Sequence, residues 1–165
     1  MRRPRPDKAA VAAEADARTV KAAALALLAG RDFGRRELAR RLTGKGYPAT
    51  LVEPVLDELV ADRSLSEDRY LEQFVTQHAG RGRGPMRIRS ELRERGVEAT
   101  AIEQALDATE ADWVESARQA RRRRFGAEPP RDFRERAKQA RFLQYRGFSA
   151  EQIRAALGPG EDLDL

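Results

Sequence analysis

Residue types able to make or break covalent bonds are scarce in this chain. Cys is absent and His78 is the single histidine among 165 residues, which removes thiol nucleophiles, disulfide frameworks, zinc ribbons and most soft-metal sites. His78 has no serine partner in an orienting context, so a nucleophilic triad has no basis. The carboxylate pairs Glu67 with Asp68 and Asp57 with Glu58 stand where exposed helix starts and faces carry acids anyway. No glycine-marked calcium loop or neighbouring base accompanies them. Gly82 and Gly84 flank Arg83, and such a loop before a helix could cradle a phosphate on its backbone donors. It lacks the Lys-Ser or Lys-Thr of a P-loop, and no strand leads into it. What it supplies is a flexible cationic entry to a helix bearing Arg87, Arg89, Arg93 and Arg95, or a hinge between repeats. No catalytic residue, cofactor or metal site is expected, and the chain reads as a non-enzyme.

Arginine is where the surplus lies. Arg121 to Arg124 are consecutive, and Arg118, Arg131, Arg134, Lys138, Arg141 and Arg146 lie nearby in sequence. Neighbours on a helix point about 100° apart, so four in a row cannot all face the core and at least one side is a cationic surface suited to phosphate. Charge at a helix C-terminus and pairing with Glu115 or Glu128 account for one or two of these arginines. Trp113 reads as a core anchor. Signs alternate along the chain: residues 1–50 hold twelve basic against five acidic groups, 51–80 two against seven, 81–146 seventeen against eleven, and 147–165 one against four. A basic balance suits a polyanion, and the acidic blocks suit a partner with basic patches.

The elements that position these charges are helical and repeated. With 41% hydrophobic and only 6% aromatic residues against 36% charged, buried surface has to be spread thinly over many elements. Gly46, Gly96 and Gly147 lie about 50 residues apart. Each follows a base (Lys45, Arg95, Arg146) and precedes an apolar residue (Tyr47, Val97, Phe148). Leu42, Leu92 and Leu143 stand four before them, and Val52, Ile102 and Ile153 six after, with Leu56, Leu106 and Leu157 ten after. The template is a helix, a left-handed glycine stop and a second helix. Upstream apolar segments (Val20 to Ala29, Tyr70 to Val75, Trp113 to Ala120) supply a third helix per unit.

Ser149 with Gln152 forms a capping box in the third unit, and Thr50 with Glu53 and Thr100 with Glu103 offer one in the others. Pro85 suits a first helical position, while Pro54 weakens the start of its helix. Gln139 stands where the first two units have Leu38 and Ile88, which predicts a shifted register in the last. The expected division is a basic flexible leader (1–17), units at 18–63, 64–109 and 110–158, and an acidic tail (159–165). Acids interrupt the apolar stretch behind the basic start, and no apolar run approaches the roughly 20 residues of a membrane span. A soluble, intracellular, monomeric protein is expected.

Leu65, Ser66, Glu67, Asp68, Arg69 and Tyr70, then Arg81 to Ile88, then Glu91, Leu92, Arg95, Gly96 and Val97 together resemble the central signature of the RecX family, bacterial regulators of the RecA recombinase. Arg36, Glu37, Leu38, Leu42, Gly46 and Tyr47 resemble that family's first repeat. Arg141 to Phe148 with Ile153 and Leu157 resemble its last. The resemblance covers roughly residues 20–157. It implies an all-α, elongated and curved array of three tandem three-helix repeats in the cytoplasm, lodged in the groove of the RecA filament on single-stranded DNA. There it would suppress ATP hydrolysis, strand exchange and co-protease action. Double-stranded DNA stays open as a second ligand, and a free-standing basic helical protein that acts on DNA directly is the alternative. Arg83, Arg87, Arg89, Arg93 and Arg95, with Arg122, Arg123, Arg141 and Arg146, are the expected cationic contacts to DNA or filament. Glu67, Asp68 and Glu72 are the expected contacts to basic loops.

Overall fold

A computed structural model describes residues 7–160 of the chain. It contains ten helices among those residues and no strand: α1 (Lys8–Ala13), α2 (Ala17–Leu28), α3 (Arg35–Gly44), α4 (Ala49–Ala61), α5 (Glu67–Gly80), α6 (Pro85–Glu94), α7 (Ala99–Ala108), α8 (Trp113–Phe125), α9 (Phe133–Arg146) and α10 (Ala150–Leu157). After α1 they fall into three successive sets of three, the arrangement that the spacing of glycines and leucines predicts. The stretch read as a leader contains α1, capped by the Asp7 side chain on the Ala9 amide. The rest of the leader (1–6) and of the acidic tail (161–165) lies outside the described residues.

The template glycines do what their spacing implies. Gly46, Gly96 and Gly147 have φ of 109°, 83° and 93°, a region that an L side chain enters only with strain. At Gly147 the stop is a Schellman motif, with the Gly147 amide on the Gln144 carbonyl and the Phe148 amide on Leu143 at 3.2 Å. The Gly46 and Tyr47 amides repeat it on Thr43 and Leu42. Phe148 and Val97 then fold back into the interior, where both are buried.

The helix starts differ in part from expectation. The Ser149 and Gln152 capping box forms, and a further one forms between Asp16 and Thr19 at α2. The boxes expected at Thr50 and Thr100 do not form: α4 begins behind Pro48 and α7 behind Glu98, which puts both threonines inside their helices. Pro48 and Glu98 already hold the extended backbone that a helix start requires, so each helix opens two residues early. Helix α4 runs through Pro54 without interruption.

The chain divides into two units. The first runs to Leu71 and takes in Arg95–Val97. Its core is Val20 and Ala24 of α2, Leu38 and Leu42 of α3, and Val52, Val55, Leu56 and Leu59 of α4, closed by Phe33 and Leu65. These are helical faces at three- and four-residue spacing, buried against one another. The second unit holds Glu72–Glu94 and everything from Glu98 onward. There Ala117, Ala120, Ala140, Leu143, Phe148 and Ile153 gather α8, α9 and α10 around small side chains, with Trp113 packed against them. Gln139 is buried in this set and accepts from Arg121 Nη1 at 3.3 Å. Arg121 also caps the carbonyls of Ala127 and Glu128. The leucine or isoleucine that the earlier repeats place here is thus exchanged for a glutamine whose polar group is satisfied by Arg121, as a buried polar group requires.

Candidate functional site

The expected cationic residues separate into those occupied inside the protein and those left facing water. In the second unit, Glu91 of α6 is a hub. Arg83 pairs with it, Arg87 Nε lies 3.1 Å from it, and His78 Nε2 lies 3.6 Å away. His78 is buried, stacks on Phe74 with ring centroids 3.8 Å apart, and makes a 2.8 Å hydrogen bond from Nδ1 to the Phe74 carbonyl. Burial pushes the His78 pKa down, the nearby Arg83 adds to this, and the imidazole is held neutral. Arg146, at the end of α9, reaches the α5–α6 loop. It donates from Nε to the Gly82 carbonyl at 3.0 Å and from Nη2 to that of Arg81. Its pKa is lowered by burial and by the like charges of Arg83 and Arg87. Two guanidinium groups therefore share one carboxylate, while the third, that of Arg146, is held on loop carbonyls within range of their charge.

Gly82 and Gly84 have a different reason from phosphate binding. The Gly84 amide donates to the Arg146 carbonyl at 2.8 Å, and the Met86 amide to the Gly147 carbonyl at 3.0 Å. A Cβ on Gly84 would stand 2.3 Å from the Gly147 backbone, and one on Gly147 would stand 2.4 Å from Arg87 Cβ. The loop brings two backbones together, and its amides are spent on carbonyls. The flexible entry or hinge expected here is corrected to a backbone-to-backbone joint.

Other expected residues are likewise engaged. Arg89 holds Glu103 of α7 with two parallel bonds of 2.6 and 2.8 Å. That contact lowers the Glu103 pKa and raises that of Arg89. Arg95, in the first unit, pairs with Glu37 at 3.4 Å. Arg123 donates to the Gly80 carbonyl at 3.4 Å, and Arg122 lies 3.8 Å from Glu115. Arg93 and Arg141 are exposed and make no ion pair among the described residues. Glu67 and Asp68 occupy the first turn of α5 and are exposed, as is Glu72, with no ion pair among the described residues. Acids at a helix start are favoured there by the dipole.

Arg141, an expected contact, shares its helix face with residues that the sequence reading did not join to it. Arg134, Lys138, Arg141 and Tyr145 succeed one another at four, three and four residues along α9, which places them within an arc of about 60° on one helix face. All four are exposed, Tyr145 by 75%. Phe133, Arg134, Ala137, Lys138 and Arg141 line a shallow groove on the same helix. The three cations make no ion pair among the described residues. The linear order shows Arg134, Lys138 and Arg141 as bases near the Arg121 to Arg124 run, and only the helical spacing joins them to Tyr145 on one face. No helix among the described residues is long and apolar enough to cross a membrane.

Comparison with known proteins places these features. Family models match for the first three-helix domain of RecX at residues 21–59, the second at 66–106 and the third at 110–157. The regulatory protein RecX of Halorhodospira halophila is 47% identical over 152 residues, 92% of this chain and 94% of that one. That of Pseudomonas fluorescens is 47% identical over 144 residues, 87% of this chain and 93% of that one. Among solved structures, RecX from Lactobacillus salivarius superposes with a TM-score of 0.70 at 21% identity, covering 83% of this chain and 91% of that chain. A further crystal structure of regulatory protein RecX gives 0.70 at 25% identity, over 87% and 74%.

Proposed function

Since the chain belongs to the RecX family, we propose that it regulates the RecA recombinase by binding the RecA filament on single-stranded DNA and lowering its ATP hydrolysis, strand exchange and co-protease activity. The units 18–63, 64–109 and 110–158 are its working parts, each a three-helix repeat. The joint between Gly84 and Gly147 is the observation that carries the mechanism, because backbone held to backbone gives the helices on either side of it one relative geometry. A rigid body that fits one arrangement of neighbouring filament subunits better than the others slows a cycle that must pass through all of them. No bond need be made or broken.

The contacts proposed for this role sort by availability. Arg93, Arg122 and Arg141 face water and are placed to meet phosphate or acidic protein surface, and the exposed Glu67, Asp68 and Glu72 to meet basic loops. Arg83, Arg87 and Arg146 carry two charges more than Glu91 cancels, so they act as a fixed positive field. Arg89, Arg95 and Arg123 shape the surface while bound to their internal partners.

The test is RecA-catalysed ATP hydrolysis on single-stranded DNA, with the protein titrated in and DNA then added in excess. Turnover that falls and stays low supports a filament target. Turnover that recovers in proportion to added DNA makes the protein a competitor for DNA and overturns the filament reading.

A further inference from the structure

The face of α9 described above combines a series of exposed cations, without ion pairs among the described residues, with an aromatic ring at its end. Arg134, Lys138 and Arg141 are exposed with no ion pair among the described residues, whereas Arg89 and Arg95 have carboxylate partners. The stripe from Arg134 to Tyr145 spans about 16 Å at the helical rise, enough to follow several successive phosphates. The guanidinium of Arg87 lies 5.4 Å from the centroid of the Tyr145 ring. Ring and cation together form a polarised platform, and the ring's high exposure leaves stacking area free.

The geometry points to a binding site for single-stranded nucleic acid on α9, with backbone phosphates on Arg134, Lys138 and Arg141 and one base stacked on Tyr145. Three features favour this occupant over an acidic protein segment or a duplex. Cations at one helical face in series match a polyanion of regular charge. A highly exposed tyrosine with a cation near its ring offers a π-face that any unstacked base can use, and bases in a duplex are already stacked. The ring sits at the end of the cationic stripe, so one strand can engage both. This site deepens the reading of the protein as a regulator acting where single-stranded DNA is present, yet it is tested without RecA.

Fluorescence anisotropy of the full chain with a labelled oligothymidylate and with a labelled duplex, each over a range of salt, reads it directly. The oligothymidylate binds more tightly than the duplex. Tyr145→Ala weakens oligothymidylate binding by about tenfold and leaves the duplex unchanged, while Tyr145→Phe restores the loss. The combined Arg134→Gln, Lys138→Gln and Arg141→Gln variant lowers the salt slope by about 2, with helicity confirmed by circular dichroism. Arg154→Gln, an exposed cation on α10, is the control that changes charge away from the stripe and keeps both affinities. An unaltered affinity for Tyr145→Ala, an equal loss on duplex, or an unmoved salt slope overturns the site. None of these results depends on ATPase inhibition, so failure here and failure of the filament reading are told apart.

Discussion

The turn at Gly96 in the first unit and the turn at Gly147 in the second come from the same template but are secured by different chemistry. At Gly96 the neighbours are side chains: Arg36 donates to the Gly96 carbonyl at 3.3 Å and Arg40 to that of Arg95, and a Cβ on Gly96 would meet Arg36 Cδ at 2.9 Å. At Gly147 the neighbours are the backbone of Arg87 and the Cβ fixed to it, and the same added atom would meet the nitrogen of Arg87 at 2.6 Å. Arginine side chains have rotatable bonds and can retreat, whereas a helix start cannot move without breaking its own hydrogen bonds. One repeated sequence feature thus gives a yielding closure in one place and a rigid one in another.

Replacing Gly147 by Ala tests the rigid closure hardest. The positive φ and the clash with Arg87 act together, and a loss of at least about 3 kcal/mol is expected. In a domain of this size that lowers the midpoint of thermal unfolding by roughly 10 °C. The Gly84 and Met86 amides, both hydrogen-bonded across the joint, are expected to exchange slowly with deuterium in the parent and fast in the variant. Amides that exchange alike in both proteins would show the joint to be loose from the start. Gly84→Ala follows, at about 2 kcal/mol, because its strain is steric alone.

Gly96→Ala sharpens the contrast from the other side. Arg36 can swing away, so the cost is that of the positive φ, about 1 kcal/mol, measured by urea denaturation. A loss equal to that at Gly147 would erase the distinction. Replacing Arg36 and Arg40 together by Ala costs less than about 1 kcal/mol, since both hydrogen bonds are solvent-exposed.

The smallest effect is a pH dependence confined to the second unit. The folded His78 has a lowered pKa, so between that value and about 6.5 the unfolded chain binds a proton that the folded one does not. Stability is whole above pH about 6.5 and declines as pH falls toward the folded pKa. His78→Gln removes this slope, and a slope that persists in the variant would assign it to another group.

The three-helix repeats were legible because leucine spacing and glycine stops are local rules that every copy obeys. Ser149, Pro85 and the glycines at 46, 96 and 147 signalled their roles through short-range backbone demands alone. The fate of the arginines was not legible. Whether Arg89 meets Glu103, Arg95 meets Glu37 or Arg146 meets the carbonyls of Arg81 and Gly82 depends on segments brought together from 14 to 65 residues apart. Charge counting treats all of them as surface. Arg121 shows the limit most clearly, since the run to which it belongs reads as a cationic face while this member is buried on carbonyl oxygens and Gln139. Tyr145 and the α9 stripe could have been found by placing every base on a helical wheel rather than by seeking clusters in the linear order.

The meeting of Gly84 with Gly147 bears on how such a chain can diverge. Hydrogen is the smallest substituent a Cα can carry, so neither position has a smaller residue to which it can retreat when the other grows. A compensating pair of changes is therefore closed to the lineage at this spot. Inherited variation must pass around it, through flanking residues such as the exposed Met86.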